Sequence, residues 1–480
     1  MIEPPQSTAP DHERYASVWT WRYGSPAMRA LWSEANKRRL MRQVWLALAE
    51  AQAAAGLVTV EQLAELRATA RSIDIARAAE HEAVTRHDVM AEIHTWAEQA
   101  PKGGAILHLG ATSADITDNV DALRIRDGLR LIHTGLCDAI ALLADRVDAL
   151  ADHVTLGWTH LQPAAPTTIG YRLAGALQDL VTDLGQVDAS ARSVRGKGFK
   201  GAVGTSASYA ALLDGTGMDA AGLEADAMAR LGLRASPVAT QVYPRKQDWL
   251  VLNALAGIAA SASTFSLNVR LMQSPPFGEW SEGFADGQVG STAMPWKRNP
   301  INAENIGSLA RLVATFPSIA WQNESLSMLE RTLDDSANRR VILPEAFLAT
   351  DEILQRLHRL IGALAVEPGA VSAALLRFGP FAAAESVLIA AAGRGGHRQA
   401  LHEVIRRHSL AAWRAVEAGL ANPLADLLAD EPLLSAHLAP AAIRALVAAP
   451  ERHIGDAPAR ARAMAATARA AVQSTESSAT

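Results

Sequence analysis

Eleven consecutive residues, Gly290-Ser-Thr-Ala-Met-Pro-Trp-Lys-Arg-Asn-Pro300, hold the densest set of groups able to do chemistry. A glycine and a hydroxyl open the stretch. Lys297 and Asn299 then add a cation and an amide, and Pro295 and Pro300 stiffen its second half. That combination suits a mobile loop closing over an anion. It also suits an ordinary basic surface loop, and composition alone favours that reading. Other patterns lead nowhere. Gly196-Lys-Gly198-Phe-Lys-Gly201 matches G-x-G-x-x-G in letters, but the residues before it read as helix, where a dinucleotide fold needs a strand. The fourteen histidines include no H-E-x-x-H and no paired Cys/His spacing, so no metal site is signalled. No G-x-S-x-G elbow occurs.

Helices must carry these groups. Apolar residues make up 49% of the 480 and aromatics only 5%, a balance that fits a helical globular chain and excludes a disordered one. A net charge of −5 spread over this length excludes a general nucleic-acid binder. With Cys137 as the single cysteine no internal disulfide can form, which fits a reducing compartment, and a cytoplasmic location is expected. The start, Met1-Ile-Glu-Pro-Pro-Gln6, lacks a basic segment and an apolar core and reads as a loose tail of about a dozen residues rather than a signal peptide. Trp249 to Val269 carries no charge and is long enough to span a bilayer. Asn253, Ser261, Ser263, Thr264, Ser266 and Asn268 interrupt it, so the expectation is a buried bundle helix and no membrane partner.

Leu40, Val44, Leu48 and Ala51 predict a helix over Asn36–Ala55, stopped by Gly56. No proline falls between Pro101 and Pro163, and Leu136, Ile140, Leu143, Val147, Leu150 and Val154 alternate spacings of four and three, a heptad seam. Further proline-free reaches run from Thr167 to Ser236, from Arg245 to Ser274, and onward from Pro344. No sustained period-2 alternation and no internal repeat is found. The expected fold is all-α: a bundle of very long helices with a helical domain at each end. Boundaries near Ser113 and Pro368 give domains 1–112, 113–366 and 367–480, the last ending in a disordered tail over 470–480.

The Gly290–Pro300 loop resembles the G-S-S-x-M-P-x-K-x-N-P signature of the aspartase/fumarase superfamily. His108-Leu-Gly-Ala-Thr-Ser-Ala-Asp115 and Thr159-His-Leu-Gln-Pro-Ala-Ala-Pro-Thr-Thr168 resemble its first and second conserved regions, in the right order. Trp21-Arg-Tyr-Gly-Ser-Pro-Ala-Met28, Arg86-His-Asp-Val-Met90, Lys200-Gly-Ala-Val-Gly-Thr205 and Leu329-Glu-Arg-Thr-Leu-Asp-Asp-Ser-Ala-Asn-Arg-Arg340 narrow the resemblance to the adenylosuccinate lyase family. It implies three helical domains, a central bundle that packs as a homotetramer, and active sites shared between subunits. It also implies a small-molecule substrate, no cofactor and no metal.

The activity implied is β-elimination of fumarate from an N-succinyl nucleotide. Ser291 is expected as general base, His160 as general acid, His87 as an assisting group and Lys297 as the cation of the loop. Thr159, Thr112, Ser113, Gln241, Asn299 and Arg86 are expected around the substrate, with Asp88 available to fix the His87 tautomer or to bind the substrate. Arg22, Tyr23, Arg331, Ser336 and Arg340 match the family's phosphate-holding positions, and a guanidinium fork suits phosphate. Thr292 replaces the second serine of the signature but keeps a hydroxyl, and Trp296 falls at a variable place. Such departures leave room for a paralogue acting on another N-succinyl amine, or for a helical scaffold that has lost catalysis.

Overall fold

The computed structural model describes residues 13–284 and 287–479. The loose tail expected at the N-terminus lies outside them. The helix expected over Asn36–Ala55 is Glu34–Ala54. The Ser33 hydroxyl caps it by accepting from the Asn36 N–H, and the chain leaves it through Gly56 at φ +79°. The long reach that follows is a 37-residue helix, Ser113–Ala149, roughly 55 Å at 1.5 Å per residue. Leu136, Ile140, Leu143 and Val147 are fully buried along its seam. The seam stops there, since Leu150 lies in a turn and Val154 begins a strand.

Three more long helices are Ile169–Ser193, Lys246–Gln273 and Asp335–Ala363. The last does not wait for Pro344 but contains it. Proline brings no N–H, so the Arg340 carbonyl loses its intrahelical donor there. Half of the apolar window of Lys246–Gln273 is buried within the protein, as a bundle helix requires, although this helix and Pro368–Ala392 are both long and apolar enough to cross a membrane.

Two short antiparallel pairs interrupt the helical pattern. β1 (Val154–Thr159) pairs with β2 (Gln162–Thr168), and β3 (Trp280–Ser281) pairs with β4 (Ala365–Val366). The first hairpin escaped the periodicity test because Pro163 and Pro166 fall in β2 and a bulge between Leu156 and Trp158 breaks the alternation. Gly157 makes the bulge possible: a Cβ there would lie 2.6 Å from the Ala165 carbonyl oxygen.

Contacts group the chain into two compact units. One comprises the chain up to Gly135, Asp183–Ala260 and Leu309–Leu354. The other comprises Leu136–Thr182, Ser261–Ser308 and everything from Gln355 onward. Helices begin at Ser113 and at Pro368. Within the second unit, Val387, Leu401, Leu424, Leu428, Leu434, Ile443 and Val447 form a buried cluster of C-terminal helices. The expected loose C-terminal tail is instead part of a helix, Ala457–Ala479. Alanines up to Ala471, the strongest helix formers, carry the helix into that stretch.

Candidate active site

The first unit holds a cavity of about 580 Å³. Seven basic side chains against five acidic ones line it, together with an apolar floor of Met41, Val89, Val120 and Leu343. Arg86, His87, Asp88, Thr112, Ser113, Gln241, Arg331, Ser336 and Arg340, all expected from sequence, meet there. Arg22 and Tyr23 do not line it; the Arg22 guanidinium lies 5.7 and 5.8 Å from the Trp21 and Tyr23 ring centres instead.

His87 is the N-cap of the Asp88–Gln99 helix rather than a residue on its face. Its Nδ1 accepts from the Met90 N–H at 3.4 Å, and its Nε2 lies 3.4 Å from the Ser113 hydroxyl. An acceptor at Nδ1 leaves the proton of the neutral ring on Nε2, facing Ser113. The tautomer is therefore set by a backbone N–H and not by Asp88. That carboxylate binds Lys37 and Arg340, each at 3.2 Å. Burial would raise the Asp88 pKa, but Lys37 and Arg340 outweigh it and hold it below the usual carboxylate range.

Ser113 is placed by Asp115, a fully buried residue. Its carboxylate accepts from the Thr112 N–H at 3.0 Å, capping the Ser113–Ala149 helix, and from the Tyr209 hydroxyl at 3.1 Å. It also takes the Lys197 ammonium at 2.5 Å and the Lys200 and Gly201 N–H groups at 3.2 Å. The G-x-G-x-x-G stretch is thus an internal anchor. Asp115→Asn leaves the Lys197 ammonium buried without its counter-charge. The expected loss of unfolding free energy is about 3–5 kcal/mol by denaturant titration; a loss below about 1 kcal/mol would refute the anchor.

Deeper in the cavity wall, Arg245 binds Asp335 at 2.7 Å and Asp118 at 3.0 Å. Arg339 binds Asp248 at 2.7 Å, the Tyr243 hydroxyl at 2.7 Å and Asp121 at 3.1 Å. Sequence reasoning missed these residues, along with Lys37 and Arg124. The one-turn spacings Arg331–Asp335 and Asp335–Arg339 were the available signal. It also passed over His108, whose Nδ1 accepts from the Trp45 indole at 3.1 Å, although this residue opens the His108–Asp115 motif. Burial lowers the His108 pKa, against the opposing pull of Asp115.

Burial would raise the Asp121 carboxyl, but Arg124 and Arg339 reverse this and bring its pKa to about 2. A depressed acid contributes stability above its unfolded value near 4 and loses it as pH falls toward 2. Asp121→Asn is accordingly expected to flatten the fall of melting temperature between pH 4 and pH 2; an unchanged slope would count against it.

The second unit carries the remaining expected residues on two exposed segments. Thr159 pairs with Gln162, closing a two-residue turn of His160 and Leu161. Their φ angles are +54° and +58°, the left-handed pair a type I′ turn requires. A non-glycine residue there costs roughly 1–2 kcal/mol. His160 is thus held out, exposed, at a hairpin tip.

The other segment is the Gly290–Pro300 loop. The Ser291 Oγ accepts from the Met294 N–H at 3.0 Å and the Ala293 N–H at 3.3 Å. The Asn299 amide donates to the Gly290 carbonyl at 2.8 Å, closing the loop. Gly290 permits that closure, since a Cβ would sit 2.0 Å from the Lys297 carbonyl oxygen. Lys297 itself is exposed. Two inward-pointing N–H groups favour negative charge on the serine oxygen, the physical requirement for a serine that acts as a base. Among the described residues no group of three or more His, Cys, Asp or Glu could hold a metal ion.

A family model described as lyase matches residues 19–314, and one described as adenylosuccinate lyase C-terminus matches residues 380–464. The chain is 39% identical to an adenylosuccinate lyase of Schistosoma mansoni, over 88% of both chains. It is 38% identical to one of Saccharomyces cerevisiae, over 88% of this chain and 89% of that one. Among solved structures it resembles a 3-carboxy-cis,cis-muconate lactonizing enzyme from Pseudomonas putida, at a TM-score of 0.81 and 25% identity, covering 95% of this chain and 98% of that one. The all-α long-helix fold, the lyase match over the first two thirds and the adenylosuccinate lyase match at the C-terminus converge: this chain belongs to the adenylosuccinate lyase family of the aspartase/fumarase superfamily.

Proposed function

We propose that the protein eliminates fumarate from adenylosuccinate to leave AMP, and treats the succinylated aminoimidazole carboxamide ribotide in the same way. The observation that carries this reading is the intact signature loop, with Ser291 Oγ receiving two backbone N–H groups. The Ser291 alkoxide takes the proton from the carbon beside a carboxylate. The carbanion survives only as its charge spreads into that carboxylate. Lys297, Asn299, Thr112 and Ser113 supply the cation and donors for the resulting dianion, each worth about 3–4 kcal/mol when preorganised. His160 protonates the departing nitrogen, and His87 orients the reacting end through its Nε2–H. Thr159 and Gln241 contact the succinyl portion. Arg331, Ser336 and Arg340 hold the nucleotide phosphate, with Asp88 positioning Arg340 and Arg86 contacting the substrate beside them; Arg22 and Tyr23, which do not line this cavity, join the phosphate site from another subunit.

Fumarate release from adenylosuccinate, followed by ultraviolet absorbance, tests the reading. Turnover supports it. None from folded protein overturns it, and turnover of another N-succinyl amine would then place the chain in a paralogous pathway.

The same reading makes the enzyme a cytoplasmic homotetramer with sites assembled from several subunits. Its expected residues are divided between the two units, and Leu326, Met328, Leu329 and Leu333 expose apolar surface along one short segment. Mixing inactive Ser291→Ala and His160→Ala proteins is expected to restore partial activity after subunit exchange. No recovery in exchanged tetramers would contradict shared sites.

A further inference from the structure

Taking His160 as the proton donor, as proposed above, we infer that Trp158 is a positioning residue for it, through an aromatic seat supplied by the C-terminal helices. The hairpin tip is strained at both His160 and Leu161, and strain of this kind persists only where the surroundings over-determine it. The surroundings are specific. Trp158, two residues before His160, meets Phe277 edge-on at 4.9 Å and 80°, and Phe378 at 5.8 Å and 75°. Phe378 belongs to the Pro368–Ala392 helix, which packs on both β1 and β2, and its ring lies 5.9 Å from Trp413 on the Arg398–Glu417 helix. The bulge at Gly157 sets the facing of Trp158. The Trp158 Nε1–H is buried and meets no protein acceptor among the described residues, so the indole is held by ring shape.

A second contact closes the frame. The turn Pro450–His453 packs on β2 and on the Pro368–Ala392 helix. His453 Nε2 lies 3.3 Å from the Leu446 carbonyl, which can only accept. In a neutral ring Nδ1 then accepts from the Ser386 hydroxyl, 2.8 Å away. Helix, turn and hairpin are thus tied together behind the His160 tip.

The test compares Trp158→Ala, Trp158→Phe and Phe378→Leu with wild type and His160→Ala, each checked for folding by circular dichroism. A tip displaced by about 1 Å is expected to cost 10- to 100-fold in kcat. Trp158→Ala should show this loss in kcat with KM within about threefold, and Trp158→Phe should restore kcat to within about threefold because the seat needs a ring and no hydrogen bond. Phe378→Leu should fall between them, and it decides the matter if Trp158→Ala does not fold. Lower melting temperature with unchanged kcat in the folded Trp158→Ala or Phe378→Leu protein would overturn the inference and leave Trp158 as ordinary packing. Unchanged turnover in His160→Ala would instead overturn the assignment of the acid, and the inference with it.

Discussion

Ser291→Ala is expected to lower kcat for fumarate release by about 10³-fold or more, within reach of the full contribution of a positioned base, with KM altered only a few-fold. The reason lies in what the side chain does. Its Oγ sits where the Ala293 and Met294 N–H groups point. An oxygen in that place can carry negative charge and then a proton; a methyl group can do neither. Binding relies on other groups, so substrate still occupies the site. A loss confined to kcat removes an interaction made only on the way to the transition state. Equal losses in binding and turnover would mean that Ser291 holds substrate, and a loss under about tenfold would remove it from the role of base.

His160→Ala is expected to cost about 10²–10⁴-fold, the usual contribution of a general acid. An imidazole at the tip of a rigid hairpin can reach a departing nitrogen, and near neutral pH it exchanges its proton readily. Because His160 is exposed at that tip, imidazole added to the His160→Ala enzyme is expected to restore part of the rate, and more of it at a pH where imidazole is protonated. Unchanged turnover in the variant would exclude His160 as acid. A large loss with no rescue at any imidazole concentration would favour a binding role.

The Ser113–Ala149 and Lys246–Gln273 helices were legible from proline spacing, and the first also from the heptad seam over Leu136 to Val147, whereas Asp335–Ala363 runs through Pro344 and was not. That signal is local, arising from side chains one turn apart. The hairpin was not legible, because its strands are held by a bulge and by aromatic contacts from Phe277 and Phe378, far away in the chain. The site divides in the same way. Its motif residues could be read from resemblance, and nine of them gather around one cavity. The polar wall of Arg245, Arg339, Asp118 and Asp121 could not, because its ion pairs join segments far apart in the chain. The tautomer of His87 depends on a cap geometry that only coordinates display.

The Asp115 anchor bears on how the chain acquires its shape. Its ammonium and phenol partners, Lys197 and Tyr209, arrive 82 and 94 residues later in the sequence. Loops of that length close late and slowly, since their entropy must be spent before any contact rewards it. During synthesis the beginning of the Ser113–Ala149 helix would therefore emerge with an acid that cannot yet be buried. Thr112 and Ser113 would take their final places only after the chain has passed Tyr209. Nascent chains halted before Lys197 should leave this region open to protease, and chains halted well after Tyr209 should protect it.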